Sequence, residues 1–166
     1  MARETSTNLA EVLTAFKTRL IDQIADASSH NTYLSTLPDE LPPSPDELMF
    51  EISPSTNWQF EQGQIVGGGQ NMLHVMGQIL ITCHITQQKD EVGRDSFYLT
   101  HETLGVSPLL KLVLKALSVH DLADPDGDLL LSHPIHPSSI VIRPKDDRSR
   151  GYVTLALDVE FDWDMT

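Results

Sequence analysis

Three stretches of this chain set hydrophobic against polar positions with clear periods. In the first, Leu9, Val12, Leu13, Phe16, Leu20 and Ile24 recur at helical spacing and make one apolar stripe, while Glu11, Lys17, Asp22 and Asp26 occupy the other face. Asn8 followed three residues later by Glu11 has the form of a capping box. Together they predict a helix from about Asn8 to Ser28. In the second stretch, Met72 to Gln87, the odd positions read Leu73, Val75, Gly77, Ile79, Ile81, Cys83 and Ile85, and the even positions are mostly polar. Period two predicts a strand. Uninterrupted it would span roughly 50 Å, longer than ordinary strands. Gly77 is therefore expected to mark a bulge, and a strand pair this long is expected to protrude beyond the domain. The third stretch, Gly151 to Trp163, places Val153, Leu155, Leu157, Val159, Phe161 and Trp163 on one face and Thr154, Ala156, Asp158, Glu160 and Asp162 on the other, the pattern of a half-buried antiparallel strand.

The remaining elements are weaker. Pro38, Pro42, Pro43 and Pro45 make the segment from Leu37 to Pro45 an extended connector. Leu48 to Ile52 and Trp58 to Ile65 read as strands, and Gly67, Gly68 and Gly69 as a hairpin tip, since the glycines match neither a P-loop nor a dinucleotide fingerprint. A helix is predicted from about Phe97 to His120. It is interrupted near Gly105, with Ser107 and Pro108 as the N-cap and first residue of a fresh start. Asp121 to Asp128 reads as a turn, and Leu129 to Leu131 and Ser139 to Ile142 as short strands. The order α-β-β-β-α-β-β predicts one α+β domain: a mainly antiparallel sheet with both helices packed on one face.

Charge changes this picture in one respect. The net charge is −13, and no Lys or Arg occurs between Leu20 and Gln88. An acidic chain without a basic tract repels nucleic acid, so no direct nucleic-acid partner is expected. Arg143, Lys145, Arg148 and Arg150 then fall within one short segment. It reads either as a solvated basic loop or as a handle that suits head-to-tail contact between identical copies. The polar start, Met1 to Asn8, lacks the apolar core of a signal peptide, and no apolar run is long enough for a membrane helix. The expected location is the cytoplasm or a particle assembled there.

No catalytic or metal constellation emerges from spacing. Asp124, Asp126 and Asp128 around Gly127 fit a turn better than an EF-hand, whose first and twelfth ligand positions would fall on Leu122 and His133. His133 and His136 read as loop histidines. His74 and His84 share a strand face but stand too far apart to chelate one ion together. Cys83, the single cysteine, sits on an apolar strand face and is expected to be a buried, inert thiol. No cofactor is expected. Asp158, Glu160, Asp162 and Asp164 line one strand face; such a stripe repels itself and should either meet water, as edge protection does, or meet a basic partner. The candidate subunit-interface residues are thus Arg143, Lys145, Arg148 and Arg150 on one side and Asp158, Glu160 and Asp162 on the other. Gly67, Gly68 and Gly69 are candidate loop contacts.

The sequence resembles the tail terminator proteins of bacteriophages and related tail-like particles, also called tail completion or head–tail joining proteins. Three features carry the likeness: the amphipathic opening helix from Leu9 to Ile24; the long strand from Leu73 to Ile85 leading through a polar turn to a Leu-rich helix ending at Ala116-Leu117; and the segment from Leu129 to Trp163, with its Pro-containing bend at His133 to Pro137 and its closing acidic and aromatic strand. The Pro-rich connector and the Gly67–Gly69 tip have no counterpart in that likeness. The resemblance implies a non-enzymatic virion protein of the tail or neck. It would form a ring, typically a hexamer, that caps the tail tube, meets the tube protein and docks to the head connector. An acidic ring lumen would repel passing DNA. Other readings of the same residues are a different neck or baseplate subunit, a monomeric module that binds a partner along the Met72 to Thr86 strand, or a small metal-dependent enzyme.

Overall fold

A computed structural model describes residues 8–35, 48–61, 72–86, 105–117, 122–144 and 150–164. The expected Pro-rich connector and Gly67–Gly69 tip lie outside them. Two helices and six strands are described: α1 (Leu9–Gln23), β1 (Thr32–Leu34), β2 (Leu48–Pro54), β3 (Gln59–Glu61), β4 (Met72–Thr86), α2 (Val106–Leu117), β5 (His136–Pro144) and β6 (Arg150–Asp164). The fold is α+β. The sheet runs β1-β2-β4-β6-β5, with β3 added to β4 beyond the end of β2. The β1–β2 pair is parallel and the other pairs are antiparallel.

The opening stripe behaves as its period demands. Val12, Phe16, Leu20 and Ile24 are at most 1% exposed, and both halves of the capping box form: Asn8 Oδ1 accepts from Glu11 N at 2.9 Å and Asn8 N donates to Glu11 Oε2 at 3.0 Å. The helix ends at Gln23, short of the expected Ser28, because a polar turn takes over. The Asn31 side chain accepts from Ser28 N and donates to Asp26 O, each at 2.7 Å, and turns the chain into β1. That short strand has no pattern of its own in the sequence.

Helix α2 starts at Val106, with Leu109 N donating to Gly105 O at 3.2 Å. Ser107 is therefore inside the helix and is not its cap. Pro108 lies in the first turn, where its missing N–H costs no intrahelical bond. Arg19 of α1 donates through Nε to Ala116 O at 3.0 Å, satisfying a carbonyl of α2's last turn. Both helices bury their apolar faces in one core with the odd-numbered residues of β4 and β6, from Val75 to Ile85 and from Val153 to Phe161. Cys83 is 2% exposed in that core, and burial pushes its thiol up to about 12.

The long strands pair with each other along their whole length, from Met72↔Asp164 to Thr86↔Arg150. Gly77 makes no bulge there, since Met76, Gly77 and Gln78 oppose Glu160, Val159 and Asp158 in unbroken register. The glycine instead makes room on the core face: a Cβ at position 77 would overlap the six-membered ring of Trp58. That indole also packs against Phe161 with ring centroids 6.1 Å apart, and its Nε1 donates to Ser55 O at 2.8 Å. This aromatic pair covers the ladder around Gly77, while Trp163, nearer its end, is 39% exposed. Leu129 makes a single bridge to Ala123 in place of the expected short strand, because Asp124 closes a tight turn. Its Oδ1 accepts from the N–H of Asp126 and Asp128, and Gly127 takes φ 88°. The irregularity in the sheet falls between Pro137 and Ser139 of edge strand β5, where proline is tolerated. Among the described residues no helix is long and apolar enough to cross a membrane.

Candidate functional site

Even-numbered residues of β4 and β6 share the sheet face opposite the helices, and the register in which the strands pair decides which polar groups meet. At the β2 end, Met49, Glu51 and Ser53 of β2 lie beside His84, Thr82 and Leu80 of β4. His84 Nε2 stands 2.7 Å from Glu51 Oε2, with side-chain exposures of 2% and 0%. Thr82 and Thr154 hydroxyls share a hydrogen bond of 2.9 Å nearby, and the His84 ring lies 6.0 Å from that of Tyr152. The polar half of the β4 alternation is therefore buried here, where its pattern predicts solvent.

At the other end the same face is open. His74 of β4 lies directly across from Asp162 of β6 and diagonally from Glu160. Its Nδ1 is 2.8 Å from Asp162 Oδ1 and its Nε2 is 3.1 Å from Glu160 Oε2. A third segment closes the group. Ser132 N donates to Glu160 O at 2.8 Å, holding the strand's approach to β5 against β6, and His133 places Nδ1 2.8 Å from the same Glu160 Oε2. The His74 and His133 rings meet edge to face with centroids 6.0 Å apart. His74 is held above its ordinary pKa, first by the hydrogen bond to Asp162 and then by Glu160, against burial, which lowers it.

The expected acidic stripe is thus real, and it has partners within its own chain. Gln78 Nε2 donates to Asp158 Oδ1 at 2.8 Å, and His74 and His133 engage Asp162 and Glu160. Arg143 and Arg150 pair with Tyr152 and Thr86 at the opposite end of the ladder. The twelve residues from Arg150 to Asp162 put about 40 Å between the two groups along β6. Lys145, Arg148 and Gly67 to Gly69 lie outside the described residues. His136 is exposed in β5, in register with Asp158.

A further surface feature belongs to β5 itself. It is an edge strand held only by β6 among the described strands. Ile140, Val141 and Ile142 are 50%, 39% and 48% exposed. Ile140 and Ile142 oppose Leu155 and Val153 on the core side while Val141 opposes Thr154 on the other, so β5 has exposed apolar side chains on both faces. At the other edge of the sheet, Leu34 of β1 is 42% exposed. No protein-family model matches this chain, and no curated protein matches it at a significant level.

Proposed function

We propose that the protein is a ring-forming structural subunit of the tail-terminator kind, which caps a tail tube and presents a docking surface to the head connector without catalysing a reaction. The observation that carries the reading is edge strand β5. Native sheets guard their edges with charge, proline or a covering element, because unpaired backbone and apolar side chains recruit other strands. β5 carries such guards toward its ends, in Pro137, Arg143 and Pro144, but across Ser139–Ile142 it offers three consecutive β-branched residues and no charge. A second copy of the chain is the occupant that fits. Two edges of the described sheet, β5 and β1, are dissimilar, and contact between unlike patches on identical subunits is heterologous, which gives a ring where the rotation closes. The Arg143–Arg150 end of the ladder lies about 40 Å along β6 from the acidic end, an arrangement that suits head-to-tail contact between copies.

Light scattering coupled to size-exclusion chromatography across a concentration series tests the reading. The wild type is expected to give a discrete ring-sized mass. Val141→Lys, a change at an exposed side chain that leaves folding stability within about 0.5 kcal/mol, is expected to give a monomer with an unchanged melting curve. A wild-type monomer at every concentration, a dimer built from β5 on β5, or a Val141→Lys ring would overturn it. The capping role has its own readout: ring-sized protein added to elongating tail tubes should shorten them, and unaltered tube lengths would argue for another neck or baseplate position.

A further inference from the structure

His74, His133 and Glu160 come from three separate segments, yet each offers one donor atom, and these atoms all lie within 4.8 Å of one another. We infer that they form a binding site for a divalent transition metal of the zinc class, with His74 Nε2, His133 Nδ1 and Glu160 Oε2 as ligands and Asp162 supporting His74 from behind.

The donor set selects the metal. Two imidazoles and a carboxylate suit Zn²⁺ and its first-row neighbours, whereas Ca²⁺ and Mg²⁺ require mostly oxygen. The two spacings that involve Glu160 fit as well. Ligands about 2.0–2.1 Å from a tetrahedral zinc lie roughly 3.3 Å from each other, and the two imidazole nitrogens stand 3.1 Å and 2.8 Å from Glu160 Oε2. Small outward adjustments would admit an ion among them.

The surroundings add an independent indication. Zinc-ligating histidines hold their second ring nitrogen on a carboxylate or carbonyl, which fixes the tautomer and aims the free nitrogen at the metal. His74 has this arrangement: Nδ1 lies 2.8 Å from Asp162 Oδ1, and Nε2 points into the cluster. The two imidazoles converge on a single carboxylate oxygen, an arrangement that a bound ion would hold in place of the ring protons. The base of the site is rigid, because His74, Glu160 and Asp162 sit within the β4–β6 ladder. His133 is anchored by its neighbour Ser132, whose N–H donates to Glu160 O at 2.8 Å. With His133 61% exposed, the fourth coordination position faces solvent and would hold water. A bound ion would clip the segment entering β5 to the two central strands.

Calorimetric titration of chelator-stripped full-length protein with Zn²⁺, and with Co²⁺ followed by visible absorption, tests the site. One saturable equivalent per chain is expected, with the d–d bands of low-symmetry four-coordinate Co²⁺. Asp162→Asn should weaken binding by about 10–100-fold. His133→Ala changes an exposed side chain and should keep the fold while abolishing the bands, and His136→Ala should retain them. Absence of saturable binding, six-coordinate Co²⁺ spectra, or undiminished binding in His133→Ala with normal circular dichroism would overturn the assignment. None of these outcomes depends on whether the chain forms a ring.

Discussion

The two ends of the β4–β6 ladder solve the same chemical problem in opposite surroundings. Each brings a β4 histidine to a carboxylate on the helix-free face. His84 and Glu51 are sealed, with exposures of 2% and 0%, while His74, Glu160 and Asp162 are 20%, 36% and 50% exposed. A buried pair has no water to replace a lost partner, so it is an all-or-none structural unit. An open cluster can exchange partners, protons or an ion at small cost. Burial, more than residue type, thus separates the part of this face that holds the fold from the part that can act.

The comparison breaks most sharply at the sealed end. His84→Ala leaves the Glu51 carboxylate buried without its partner and should cost about 3–5 kcal/mol, read from urea unfolding. The matching His74→Ala should cost less than about 1 kcal/mol. Equal losses would show that the two ends do not differ as their burial implies. Between the ends lies Gly77. Gly77→Ala drives a methyl into the Trp58 ring and should destabilise by about 1–3 kcal/mol, with the Trp58 fluorescence shifted. An unperturbed emission spectrum would count against the packing described. The smallest effect is titration of the open end. Because His74 binds its proton more tightly folded than unfolded, its stabilising contribution is complete below the ordinary histidine value of about 6.5 and is lost as pH rises through the raised folded value. In chelator, the His74 ring resonances should titrate above pH 6.5, and Asp162→Asn should move that midpoint down. A midpoint at or below 6.5 would contradict the hydrogen-bonded geometry.

Much of the fold is legible in the sequence because its signals are local. The α1 stripe, the Asn8–Glu11 box and the alternation of β4 and β6 each depend on residues a few positions apart, and each lands where its period places it. The departures also have physical causes. Gly77 reads as a bulge because a strand glycine marks either a kink or a close approach, and only the fold brings Trp58 over it. Ser107-Pro108 has the chemistry of a helix start, but Gly105 already supplies the first acceptor. The two polar clusters were illegible for a different reason. His74 and Glu160 are 86 positions apart and His84 and Glu51 are 33 apart, so no spacing rule links them. The polar face of β4 announces histidines, and strand register alone decides what they meet. The acidic stripe was visible as a stripe, while its partners within the chain were not.

Strand β6 has a consequence for the timing of folding. It lies between β4 and the edge strand β5 and follows every other described strand in sequence. Its ladder with β4 joins residues from Met72↔Asp164 at one end to Thr86↔Arg150 at the other, a long-range closure of the slow kind. During synthesis, the flank of β4 that faces β6 therefore stays unpaired until β6 has emerged. Among the described strands β5 is held by β6 alone, so its apolar outer edge becomes a formed surface only when the core behind it is complete. On the ring reading proposed above, the order of the strands keeps a half-made chain from offering the edge through which finished copies would join.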